Sequence, residues 1–115
     1  MFLPGDFLVF QLESGYGLMR LLAIGSKGGE TVWHVRAYSD LFLDIESAES
    51  RALNGSLSVA IDHVALTERA FESTQVSRLA NQDLTPELLS LVSQWENDPQ
   101  KTVSDLSVRL HLGLR

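Results

Sequence analysis

The 115 residues contain no cysteine, which excludes disulfides, thiolate metal sites and a cysteine nucleophile. No apolar run approaches the ~18 residues that a membrane-spanning helix needs. The opening Met1-Phe2-Leu3-Pro4-Gly5-Asp6 lacks the basic and long apolar regions of a signal peptide, so a soluble, cytoplasmic protein is expected. Basic side chains are the minority: nine Lys and Arg against fifteen Asp and Glu leave a formal charge of −6. That balance weakly repels phosphate backbones and sets general nucleic-acid binding aside.

Signatures of chemistry are missing as well. There is no G-x-S-x-G elbow, no P-loop, no G-x-G-x-x-G between strand and helix, and no H-E-x-x-H. His34, His63 and His111 are scattered without paired-ligand spacing, so neither a metal site nor a cofactor is expected. The serines have no base fixed beside them in sequence, and Asp44 and Glu46 read as solvated carboxylates.

What is present is architecture. The length suits one domain over 1–115, able to bury roughly two-thirds of its unfolded surface. Residues 6–38 read as an antiparallel β-meander, three apolar stretches divided by Glu13-Ser14-Gly15 and Ser26-Lys27-Gly28-Gly29. In the first, Leu8, Phe10 and Leu12 alternate with Phe7, Val9 and Gln11, and apolar groups on both faces imply cover on both sides or a tightly coiled barrel. In the second, Tyr16, Leu18, Arg20, Leu22 and Ile24 oppose Met19, Leu21 and Ala23, with Gly17 as a bulge candidate. The third sets an apolar Trp33, Val35 and Ala37 against a polar, aromatic His34, Arg36 and Tyr38, and Trp33 is assigned to the core.

Beyond the meander, residues 40–55 form a crossover, a short helix or irregular, with Ile45, Ala48, Ala52 and Leu53 at helical spacing. Residues 57–66 return to strand composition and place His63 on the same side as Leu57, Val59, Ile61 and Ala65, where it needs a hydrogen-bond partner. Thr67–Ala80 is amphipathic enough for a helical turn, with uneven apolar spacing. Residues 85–97 form a helix: Thr85 caps, Pro86 takes the first position, and Leu88, Leu91, Val92 and Trp95 make one stripe that docks on the sheet. The tail, 102–114, supports two readings, a strand from its alternating leucines or a helix from Thr102-Val103-Ser104-Asp105. As a helix it resembles the first half of a helix-turn-helix, with no room before Arg115 for a reading helix. The expected fold class is α+β, mainly β: a small antiparallel SH3-like barrel or curled sheet with one or two helices in the C-terminal half.

One constellation carries chemistry. If the three strands pair in order, Tyr16, Arg20, His34, Arg36 and Tyr38 share a patch of two guanidiniums, two phenols and an imidazole, able to grip a carboxylate, a phosphate or an acidic partner surface. The competing reading is an exposed sheet face with solvated charges, in which Arg20 merely snorkels past Leu18, Leu22 and Ile24.

Gly5, Asp6, Phe7 to Leu12, Gly15, Tyr16, Gly17 and Arg20 resemble the opening of small SH3-like barrel proteins, and more narrowly a family of bacterial polymorphic-toxin immunity proteins. The resemblance implies a protein that works by binding another protein and has no catalytic residues. The expected function is therefore a non-enzymatic bacterial interaction module that meets a partner protein through a sheet face. The alternatives are a small-ligand or nucleotide sensor using the Tyr16/Tyr38 patch, and a small hydrolase using His34 or His63 with Arg20 or Arg36 as clamp.

Overall fold

The computed structural model describes residues 1–114. Strands β1 (Asp6–Leu12), β2 (Gly15–Lys27) and β3 (Glu30–Phe42) form the expected meander, each of the last two running 13 residues. Helix α1 (Ile45–Asn54) follows, then β4 (Val59–Thr67), α2 (Glu68–Thr74), β5 (Val76–Asn81), α3 (Pro86–Glu96) and a single turn, α4 (Val108–His111). The fold is α+β and mainly β. Its one antiparallel sheet has the order β4-β3-β2-β1-β5, so β4 and β5 are opposite edges and the sheet is open, not closed into a barrel.

Both faces of that sheet are covered, which is why β1 is apolar on alternate and intervening positions alike. Leu8 and Phe10 join Met19, Leu21, Val35, Ala37 and Leu66 beneath Phe71 of α2 and Val108 of α4. Phe7 and Val9 face the other way, packing with Leu18, Tyr38 and Phe42 under Ala48 and Ala52 of α1. Leu88 and Val92 of α3 close the same side over Leu22. Trp33 sits at the rim of the first cluster, stacked on Phe71 with ring centroids 4.0 Å apart. Its Nε1 is the one buried side-chain polar atom without a partner among the described residues.

Local chemistry sets the element ends. Asp44, expected to be merely solvated, caps α1 by accepting from Ser47 N at 2.7 Å. Asp40 accepts from Ser58 N at 2.6 Å and from Arg51 at 3.1 Å, tying β3, α1 and the approach to β4 together. Thr85 caps α3 and Pro86 opens it, as the sequence implied. Gly17 is needed for space: a β-carbon there would lie 2.6 Å from the Phe10 ring. Gly5 adopts φ +95° and turns the chain into β1.

Three expectations change. Thr67–Ala80 is α2 followed by the edge strand β5, whose short VSRLAN gave no alternating signal. The tail is not a strand over 102–114: only Ser104 bridges to β4, in parallel with Leu66. Nor is it a helix from Thr102, since Ser107 caps the four-residue α4. Of the alternating tail residues Val108 is fully buried, whereas Leu106 and Leu110 stay exposed. The third change concerns register. Val35 pairs with Val64 and Ala37 with Ile61, so Arg36 faces two residues, Asp62 and His63. This bulge reverses the alternation, leaving Ile61 in the α2-side core and turning His63 to the α3 side.

Candidate functional site

The β2–β3 register pairs Arg20 directly with Arg36. Together with Tyr38 they floor a cleft of about 350 Å³ between the C-terminal part of α1 and the first turn of α3. Apolar walls come from Phe7, Ala52, Leu57, Val59 and Leu88, and Glu87 is the only carboxylate among the lining residues.

Arg20 is 7% exposed. Its Nη2 donates to the carbonyls of Gln82 at 2.7 Å and Asp83 at 3.3 Å, its Nε donates to Gly5 O at 3.4 Å, and its guanidinium lies 4.4 Å from the centroid of the Phe7 ring. No carboxylate among the described residues lies within 4 Å of it; the ion pairs are Arg36–Asp62, Arg51–Asp40 and Arg69–Asp105. A buried cation ordinarily has a counter-ion, because desolvating a lone charge is costly. Burial lowers the pKa of Arg20, and the charge of Arg36 acts in the same direction while Tyr38 opposes it. An arginine so placed still carries its charge at neutral pH.

Tyr38 is 6% exposed, and burial pushes its phenol pKa up against the opposing pull of Arg20 and Arg36. It is therefore a neutral hydroxyl donor at pH 7. Neither Tyr38 Oη nor Arg20 Nη1 hydrogen-bonds to another described residue, and neither is a buried orphan, so both reach accessible space. Arg36 is held more loosely, donating from Nε to Asp62 O at 3.2 Å and from Nη2 to the exposed Asp62 carboxylate at 3.4 Å. The bulge frees that Asp62 carbonyl to accept.

The expected patch thus divides. Arg20, Arg36 and Tyr38 come together, but as the floor of a cleft under α1 and α3 instead of an open sheet face. Tyr16, paired with Gln11 and Phe42, packs against the α1-side core and does not line the cleft. His34, 3% exposed, lies further along β3 and lines a second cavity of about 330 Å³ with Trp95, Glu96, Lys101 and the end of the β2–β3 hairpin.

His63 is the unforeseen neighbour there. Its Nε2 lies 2.9 Å from His34 Nδ1, the rings are stacked 5.1 Å apart, and Trp95 meets His34 edge-on at 4.8 Å. One shared proton satisfies the contact, with one imidazole donating and the other accepting. Burial lowers both pKa values, and for His63, with the neighbouring His34 adding to it, the value falls to about 4. The need for a partner on His63 was legible in sequence; its identity depended on the bulge. His111 also has a partner, Ser104 Oγ at 2.8 Å, but that pair lines none of the described cavities. It anchors the tail where Ser104 bonds Ala65 and Thr67 of β4. Among the described residues no three His, Asp or Glu side chains are grouped to hold a metal ion.

Fold and cleft define an α+β protein with a covered antiparallel sheet and a recess floored by two guanidiniums and a phenol in one of its layers. No helix is long and apolar enough to cross a membrane among the described residues. No protein family, curated protein or solved structure matches the chain.

Proposed function

We propose that this protein is a non-enzymatic binding module whose receptor is the cleft between α1 and α3, and that the group it receives is an anion. The observation that carries this is Arg20, a nearly buried guanidinium with three carbonyl acceptors, no counter-ion among the described residues and one nitrogen directed at accessible space. Arg36 and Tyr38 add donors at the same floor. That His34 and the two arginines line different cavities favours this reading over a hydrolase that clamps its substrate between them.

The likeness of residues 5–20 to immunity proteins gives this proposal its partner form: a cytoplasmic bacterial module on which a partner protein seats an acidic group. Titrating acetate and inorganic phosphate into the labelled protein tests the reading by chemical shift. Resonances of Arg20, Arg36 and Tyr38 should move together and saturate, and an Arg20→Met variant should lose the response. If neither anion moves any resonance of the cleft, the proposal is wrong.

A further inference from the structure

We infer that the cleft selects a singly charged carboxylate attached to an apolar body, over a phosphate or other dianion. This rests on the anion-binding reading above and narrows it to a ligand class.

Charge at the site points to one negative charge. Arg20 and Arg36 bring two positive charges; the Asp62 carboxylate at 3.4 Å from Arg36 already offsets one. Glu87, at the first turn of α3, brings a negative charge to the same walls. Counted with Asp62 and Glu87, the two positive charges are already cancelled, so the ligand's head is held by the local donors of Arg20 and Arg36, and a second negative charge adds repulsion from Glu87 with no cation left to offset it. Donor geometry agrees: the free groups on the floor, Arg20 Nη1 and Tyr38 Oη, are donors for an acceptor-only head such as a carboxylate. The walls decide the rest of the ligand. Phe7, Ala52, Leu57, Val59 and Leu88 give the ligand body an apolar surface, while the polar side chains of Gln82, Thr85 and Glu87 stand at the Gln82–Leu88 side of the cleft. The recess of about 350 Å³ leaves room for a short chain or ring behind the head.

The same chemistry can come from a free organic acid or from the C-terminal carboxylate of a peptide. Calorimetric titrations at pH 8 separate the cases, using hexanoate, 1-hexanol, hexyl phosphate, and a Leu-terminated tetrapeptide with a free or amidated C-terminus. Hexanoate should bind at least tenfold more tightly than 1-hexanol and several-fold more tightly than hexyl phosphate. Tyr38→Phe should weaken hexanoate several-fold without changing the melting temperature much, and Glu87→Gln should narrow the gap between carboxylate and phosphate. A free-carboxylate peptide that outcompetes hexanoate while its amide does not bind assigns the carboxylate to a partner chain and supports the class.

Hexyl phosphate binding more tightly than hexanoate, or 1-hexanol matching it, overturns the ligand class while leaving the cleft as a receptor. Silence from every anion, inorganic phosphate included, overturns the anion-binding reading itself.

Discussion

Acid should destabilise this protein before its carboxylates titrate, through the stacked pair His34 and His63. In the folded chain the pKa of His63 falls to about 4 because burial, and then the neighbouring His34, disfavour its charge. In the unfolded chain it returns to about 6.5. Above pH 6.5 both states hold a neutral ring, and the stabilisation is fully present. As pH falls from there towards 4, the unfolded chain takes up a proton that the folded chain refuses, so stability declines; below 4 both are protonated and this contribution levels off. A difference of that size corresponds to about 3 kcal/mol, reduced to about 2 kcal/mol because the ring keeps some contact with solvent.

His34 shifts in the same direction and adds to the slope. The pair can keep its hydrogen bond with one extra proton, since an imidazolium can still donate to its neighbour. A second proton sets two N–H groups face to face. The carboxylates with lowered values, Asp44 and Asp105, act only below their ordinary value near 3.8, which leaves the higher window to the histidines. Urea denaturation at half-unit steps from pH 8 to pH 4 measures the effect. His63→Gln should flatten the curve between pH 6.5 and 4.5, because an amide can bond His34 and does not titrate. Parallel curves for the two proteins would refute the assignment.

Three packing predictions follow from single contacts. Asp6 is fully buried and accepts from Leu3 N at 2.8 Å and Asn81 Nδ2 at 2.7 Å, so Asp6→Ala should cost about 3 kcal/mol in chemical denaturation; a loss under about 0.5 kcal/mol would contradict its anchoring role. Gly17→Ala forces a methyl against the Phe10 ring and should cost about 1–3 kcal/mol, while an unchanged melting temperature would show that the ring moves freely. Phe71→Ala removes the partner on which Trp33 stacks and opens the α2-side core. It should cost about 3–5 kcal/mol and alter the near-ultraviolet circular dichroism of Trp33.

The strands of the meander and the caps of α3 were readable because they depend on neighbours in sequence: alternating apolar residues, glycine-bearing turns, a threonine before a proline. The assignment of Val35 and Ala37 to the core has the same origin, and both are fully buried. β5 escaped because a six-residue edge strand, half exposed, has no apolar alternation to show. The tail misled in the opposite sense, since its apolar residues alternate but Val108 is buried and Leu112 partly so, while Leu106 and Leu110 stay exposed. At the cleft the residue types of Arg20, Arg36 and Tyr38 were legible; the burial of Arg20 and Tyr38 was not, because the helices beside them arrive from residues 45–54 and 86–96.

By itself, then, the sequence determined an acidic, cysteine-free, mainly β chain with a three-strand meander and a cluster of cationic and phenolic side chains on it. Packing of the distant elements made the sheet open with both faces covered, put Arg20, Arg36 and Tyr38 in one cleft and His34 in another while Tyr16 joined the α1-side core, and brought His63 to His34. The physical reason lies in the β4 bulge and in the packing of α1 and α3. A one-residue shift in pairing reverses which face a side chain occupies, and whether a guanidinium is solvated or left without a counter-ion depends on what packs above it.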